Sequence, residues 1–396
     1  MTQPTEMQRR ARERKSAEAG ALHVARKLRI GVSCRALLQQ EGGLKRYFST
    51  LLPELLEQGK GHDFVLFYDK SKGVGSFPQA EELYTTALHR VLWDYLSVPR
   101  MARKAALDVF FSPKGHLPYR LGCPAVITLH DLGYFVPGLE AYPLADRLYQ
   151  RWALKSSARR AARIVAVSES TRSEVVKYTG GSPDKIRVVY EAIPEWFLAP
   201  PPAGTWERLK RRLGVDSGQY IFAPGSISPR KNLPRLVAAL GRIAGELPHK
   251  LVLTGIASWG NVRLGRAVDA AGLAGRVVLS GAVSDEELVP LYRMDCCCAS
   301  VSLYEGFGLP ILEAMTAGCP VVTSSVSSMP EAAGDAAELV DPTDVEQIAA
   351  ALKRVLTDEG LRAGLVARGH ENLKRFTPRE MAHETLAALE AAAETA

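Results

Sequence analysis

Twice along this chain the same rhythm occurs. Short runs rich in β-branched and other apolar residues alternate with longer amphipathic stretches, and a proline-rich interruption separates the two series. Parallel strands need a crossover, and a crossover helix packs back onto the sheet it leaves, so this alternation predicts parallel sheets covered on both faces by helices. The spacing predicts strands over 28–34, 64–69, 108–112, 125–130, 163–168 and 186–190. A second set is expected over 220–223, 250–254, 277–280, 296–301, 321–324 and 337–340, with helices such as 44–57 and 144–162 in between. Pro200, Pro201 and Pro202, followed by a short basic helix, break the rhythm. The expected organisation is a basic arm over 1–27, a Rossmann-like domain over 28–195, a linker over 196–218, a second Rossmann-like domain over 219–376 and a terminal helix over 377–396. Thr377, Pro378 and Glu380 form a helix-start signature, with Thr377 as cap, Pro378 in the first turn and Glu380 completing a capping box. Met381, Leu386 and Leu389 give that helix a face to bury across the junction of the two domains. A length of 396 residues suits two such cores and a cleft between them.

Composition excludes several classes. No apolar run approaches the ~20 residues of a membrane-spanning helix. The start carries Arg9, Arg10, Arg12, Arg14 and Lys15 without an apolar segment, so it does not read as a secretory signal, and a cytoplasmic protein is expected. Formal charge is +7, and residues 1–29 hold eight Lys/Arg against three Glu, so the folded body is nearly neutral. That balance, with no aromatics interleaved in the arm, argues against nucleic acid as a partner. The arm reads as a solvated tail, with peripheral contact to anionic lipid as the alternative. Cys34, Cys123, Cys296, Cys297, Cys298 and Cys319 lack zinc-ligand spacing and read as buried free thiols.

The most informative stretch runs from Ser302 to Met315. It follows a predicted strand, and Pro310 opens a helix that Gly318 and Pro320 close. Gly306 and Gly308 allow a sharp turn and close approach to a ligand, and the helix start offers free N–H groups, so the segment reads as an anion cradle. Glu305 before the loop and Glu313 one turn inside the helix add carboxylates that accept hydrogen bonds from hydroxyls. A polyol carrying phosphate meets both requirements, as a nucleotide sugar does.

A second cradle is expected over 223–232, where Gly225 and Ser226 precede Arg230, Lys231 and Asn232 at another strand–helix junction. Asn232 reads as the helix N-cap, and the two cations beside a helix start call for an anion. Fixed donors aimed at a departing diphosphate lower the barrier to its departure, and Arg230 and Lys231 supply them without a metal. No Asp-x-Asp pair is present, so no metal is expected.

In the first half, Gly42 and Gly43 lie between the first strand and first helix, where backbone can approach a ligand from the opposite wall of a cleft; a simple flexible turn is the alternative. His130, with Asp131 and Leu132, ends a predicted strand, as a structural hydrogen-bonding residue or as a group facing a sugar hydroxyl. Trp93, Tyr95, Leu96 and Val98 ahead of Arg100, Arg103 and Lys104 read as packed core or as a membrane-touching face.

Taken in order, Gly42-Gly43, His130-Asp131-Leu132, Val167-Ser168-Glu169-Ser170, Pro229-Arg230-Lys231-Asn232 and the Glu305–Glu313 segment resemble family 4 glycosyltransferases, and within them the bacterial polysaccharide mannosyltransferases. The resemblance runs from about residue 28 to the terminal helix. It implies the GT-B fold, two Rossmann-like domains facing across a cleft with a C-terminal helix crossing back to the first. It also implies a retaining, metal-independent transfer of a hexose from a nucleoside-diphosphate sugar, with GDP-mannose favoured, to a glycan or polyprenyl-diphosphate-linked acceptor. Arg230 and Lys231 would hold the diphosphate, Glu305 and the amides of Phe307, Gly308 and Leu309 the sugar, and Glu313 the ribose, with His130 near the reacting carbon. No cofactor is implied beyond the donor itself. Many relatives carry Arg after the glycine matching Gly225, where this chain has Ser226, as the mannosyltransferase branch often does. The readings that compete are a nucleotide-sugar epimerase on the same plan and a non-catalytic carbohydrate-binding subunit.

Overall fold

The computed structural model describes residues 26–38, 42–86, 92–139, 142–217, 219–255, 261–294 and 296–395. Most of the basic arm, and Gln40 and Glu41 beside the Gly42 turn, lie outside the described residues.

Two parallel sheets form, one from each series. The first comprises β1 (Arg29–Ser33), β2 (Asp63–Tyr68), β3 (Glu81–Tyr84), β4 (Val109–Ser112), β5 (Ala125–Leu129), β6 (Arg163–Ala166) and β7 (Ile186–Val188) in the order β3-β2-β1-β4-β5-β6-β7. The second comprises β8 (Tyr220–Ala223), β9 (Lys250–Leu253), β10 (Val277–Leu279), β11 (Cys297–Ser300), β12 (Val321–Ser324) and β13 (Ala337–Val340) in the order β10-β9-β8-β11-β12-β13. All strand pairs are parallel. The sequence reading omits β3, whose residues Glu-Glu-Leu-Tyr carry no β-rich pattern; it is an edge strand, where charge blunts further pairing.

Strand order places the sites. It reverses between β1 and β4 in the first sheet and between β8 and β11 in the second, and at such a reversal the helices after adjacent strands leave on opposite faces and open a crevice. The segments after β8 and β11 are the two predicted cradles. Central strands such as β4, β5, β8 and β11 are buried along their whole length, as sheets covered on both faces require.

The terminal helix Pro378–Ala393 crosses back from the second unit and packs on helix Gly43–Gln58 of the first. Met381, Leu386 and Leu389 are buried there, and Gln58 donates to the Arg379 carbonyl at 2.8 Å. Thr377 accepts from the Glu380 amide at 3.1 Å, the forward half of the expected box. The cysteines are free thiols, five of them buried and Cys123 partly so.

Candidate active site

A cleft of about 960 Å³ opens between the two sheets, and all twelve residues singled out as site residues line it: Gly42, Gly43, His130, Gly225, Ser226, Arg230, Lys231, Glu305, Phe307, Gly308, Leu309 and Glu313. Strand-end placement brings them together, because both reversals in strand order open towards the same space.

The two cradles of the second unit are hydrogen-bonded to each other. The Leu303 amide donates to the Arg230 carbonyl at 2.8 Å, and the Arg230 guanidinium donates to the Tyr304 carbonyl at 2.9 Å. At their meeting point Glu305 pairs with both cations, Lys231 at 2.8 Å and Arg230 through Nη1, while the Ser302 hydroxyl donates to it at 2.7 Å. Burial alone would raise this carboxyl, but the two cations and the Lys231 and Ser302 hydrogen bonds outweigh it and hold it at about 2. The anion that the cations call for is therefore already present in the chain itself.

Asn232 is not the side-chain cap that the sequence predicts. It sits in the left-handed region with φ 58°, ending the turn Pro229–Lys231, and its amide donates to the carbonyls of Val301 (3.0 Å) and Pro342 (2.6 Å). The side chain is spent on tying the β8 junction to the end of β11, which fixes the two cradles relative to each other.

Gly306 shows why the Glu305–Glu313 loop needs glycine. A Cβ there would stand 1.7 Å from the His130 carbonyl oxygen, so the loop of the second unit touches the backbone of the first. The Gly306 carbonyl in turn accepts from Ser168 (2.7 Å) and Thr171 (3.0 Å). Gly308 has φ 116° and opens helix Leu309–Thr316, whose first residues Leu309 and Pro310 line the cleft. Tyr304 completes the seam, donating to Glu174 at 2.5 Å and accepting from the Leu132 amide at 2.8 Å.

His130 lies at the end of β5 with both ring nitrogens engaged, Nδ1 with Glu191 and Nε2 with the Pro113 carbonyl, each at 2.9 Å. Both partners are acceptors, so the arrangement is satisfied by the doubly protonated ring. Burial would lower the pKa, but Glu191 and the Pro113 carbonyl raise it above its ordinary value. Tyr47 packs edge-on against the ring at 4.5 Å between centroids. Of the two readings the sequence leaves open for this residue, a structural hydrogen-bonding histidine or a group facing a sugar hydroxyl, both ring nitrogens in this conformation are engaged as the first describes.

Glu313 is buried, with Arg46 of the first unit at 2.6 Å and the Tyr292 hydroxyl at 2.7 Å on its two oxygens. Arg46 also reaches Asp285 at 3.3 Å. Among the described residues no group of three or more His, Cys, Asp and Glu could hold a metal ion.

The model of glycosyltransferase family 4 matches residues 41–195, and that of glycosyl transferases group 1 matches residues 207–372. O-antigen chain mannosyltransferase B of Escherichia coli is 34% identical over 272 residues, 68% of this chain and 70% of that protein. The chain is a family 4 glycosyltransferase. Serotype-specific mannosyltransferase WbdA of Escherichia coli is 29% identical over 280 residues, 68% of this chain, which spans a third of that longer protein (33%). Among solved structures, Anabaena Alr3699/HepE in complex with UDP-glucose superposes with a TM-score of 0.71 over 91% of this chain and 100% of that one, at 19% identity. WaaG, a glycosyltransferase involved in lipopolysaccharide biosynthesis, gives 0.69 over 91% and 99% at 16% identity. At these identities the likeness carries the fold, GT-B, and no more.

As a family 4 member the enzyme moves a sugar from a nucleotide donor with retention at the anomeric carbon. Around the twelve expected residues the glycosyltransferase adds partners that the sequence reading did not assign: Glu191 and Tyr47 on His130, Arg46 and Tyr292 on Glu313, Ser302 on Glu305, and Tyr304 with Glu174 across the seam. Ser168, a Ser before a helix, accepts from the Thr171 amide as an N-cap and bridges to the Gly306 carbonyl.

Proposed function

We propose that this glycosyltransferase moves mannose from GDP-mannose onto a glycan or polyprenyl-diphosphate-linked acceptor in polysaccharide assembly, in contact with the inner face of the membrane, and that it does so without metal or cofactor. The observation that carries the reading is the shared ion cluster: two cations from one junction and Glu305 from the other meet at one point of the cleft. The diphosphate of the donor takes Arg230 and Lys231, and Glu305, released from part of that pairing, accepts hydroxyls of the attached hexose. Amides at Phe307, Gly308 and Leu309 add donors, with Gly225 and Ser226 against the phosphates and Gly42 and Gly43 closing from the first unit. Glu313 takes the ribose once Arg46 yields its oxygen. The division into an acceptor unit over 28–195 and a donor unit over 219–376, joined by 196–218 and strapped by 377–396, belongs to the same proposal.

As the bond from C1 to the phosphate oxygen breaks, charge grows on the leaving diphosphate where Arg230 and Lys231 are already aimed. The acceptor oxygen bonds to C1 from the same face, and its proton passes to the departing phosphate oxygen. The His130 imidazolium, held by Glu191, is a fixed charge at the cleft wall and does not serve as a base while both nitrogens are protonated. The names of the relatives support mannose, and none of the curated relatives named above is an epimerase or a carbohydrate-binding subunit.

A thermal-shift panel of nucleotides and nucleotide sugars tests the donor. A ligand at 100 times its dissociation constant adds about 2.7 kcal/mol to stability. GDP-mannose is expected to give the largest rise in Tm at a fixed concentration; a larger rise with a UDP- or ADP-sugar would replace it.

A further inference from the structure

Six of the twelve large apolar side chains most exposed among the described residues belong to one surface of the first unit. Helix Leu144–Arg160 presents Leu144 (61% exposed), Leu148 (58%) and Trp152 (55%) at four-residue spacing, with Tyr149 (44%) beside them. Leu92 (45%) and Leu96 (46%) are the others, the latter in the turn Trp93–Ser97 that leads into helix Val98–Lys104. The two helical regions are joined by an aromatic stack, Tyr95 on Tyr119 at 5.4 Å and Tyr119 on Trp152 at 6.4 Å, with the Arg160 guanidinium 3.8 Å from the Tyr119 ring. Four leucines are thus held outward beside an aromatic stack.

The charge around this platform is predominantly positive. Residues 92–104, 119–122 and 144–160 hold nine Lys/Arg against two Asp, within a chain whose formal net charge is only +7 and whose first 29 residues already supply five of it. The remainder of the chain is net negative, so positive charge is concentrated in these segments and in the arm. Lys155 and Arg159 continue the outward face of the helix that bears Leu148 and Trp152.

We infer that this face is a docking surface for an anionic phospholipid bilayer, into whose headgroup layer Leu144, Leu148 and Trp152 insert while the surrounding Lys and Arg contact lipid phosphates. Apolar and aromatic side chains flanked by basic ones are what an interfacial helix presents to such a surface. Two other occupants fit worse. A second copy meeting the patch symmetrically would bring like charge against like charge. A glycan threading to the reacting centre would follow Gln150 and Leu154, which line the cleft on the other side of the same helix, roughly 140° round from the apolar stripe at 100° per residue. The helix therefore has one side on the cleft and the other on lipid, which sets the mouth of the cleft about one helix diameter, ~10–12 Å, above the headgroups. The inference deepens the membrane contact proposed above and rests on it.

Co-sedimentation of the full chain with vesicles of phosphatidylcholine alone, and of phosphatidylcholine mixed with phosphatidylglycerol, tests it, with sugar transfer to a water-soluble acceptor measured in parallel. Binding to the mixed vesicles is expected, falling as salt is raised. In Leu148→Ser/Trp152→Ser the partition coefficient is expected to drop about tenfold or more, because the apolar anchor is lost, with transfer to the soluble acceptor unchanged. Equal partition of wild type and the double variant would overturn the surface and assign membrane contact elsewhere. Absence of wild-type binding would also overturn it, as would a dimer that the double variant converts to monomer. Transfer without vesicle binding sinks the surface and leaves the enzyme reading intact; patch-dependent vesicle binding without transfer does the reverse.

Discussion

The side chains that touch His130 decide what that residue can do. Glu191, Asp131 and the Pro113 carbonyl face it with negative charge or lone pairs, and the Tyr47 ring supplies the apolar wall. A histidine whose pKa is raised on folding contributes stability that is complete below its ordinary value of 6.5 and is lost as pH rises through the raised value. Glu191→Gln removes the charge and leaves burial, which acts in the opposite sense. The alkaline limb of the pH profile of kcat/KM is therefore expected to move down towards or below 6.5 in Glu191→Gln, while the wild type stays active above it. Identical limbs in the two proteins would show that the ring's charge is irrelevant. None of this was legible from the sequence, where His130 is a lone strand-end histidine: Glu191 lies 61 residues away, and only the pairing of β5, β6 and β7 brings it near. The same holds for Arg46, 267 residues from Glu313. What was legible at this scale was position, since strand ends in such sheets carry the functional groups.

Among elements, the glycine loop before helix Leu309–Thr316 bears the tightest constraint. Gly306 meets the His130 carbonyl, and an added methyl has no flexible side chain to displace. Gly306→Ala is expected to push the two units apart, lowering the urea midpoint and abolishing transfer. Gly43→Ala is expected to keep the wild-type midpoint, because its Cβ would meet only Leu309 at 3.9 Å. Equal stability of the two variants would mean that the loops yield freely. The need for glycine was visible in the Glu305–Glu313 motif; its reason was not, because the neighbour it spares is in the other half of the chain. Strand prediction succeeded where apolar runs are buried on both faces and failed at β3, an edge strand that pairs with β2 alone and whose Glu-Glu-Leu-Tyr run carries no apolar pattern. Asn232 was misread for a related reason: a cap and a left-handed tie look alike in sequence, and the distant carbonyls of Val301 and Pro342 chose between them.

For the whole molecule, two sheets, a returning helix and a seam through Tyr304, Ser168 and Arg46 hold the cleft in a form where the cations meant for a diphosphate are bound to Glu305. Doubling of the strand–helix rhythm made this architecture legible early, since each half predicts its own parallel sheet and the terminal helix carries a face to bury across their junction. The state of the cleft was not legible, because charge pairing between segments more than seventy residues apart leaves no local mark. In the proposed reaction the two junctions of the second unit act together on one diphosphate. Calorimetric titration of GDP in excess EDTA, into the wild type and into Lys231→Ala, tests this most directly. Loss of one charge-assisted contact to a phosphate is expected to weaken GDP by about tenfold or more, with the wild type binding fully without metal. Equal affinity in the two proteins, or wild-type binding that appears only when a divalent cation is restored, would contradict it.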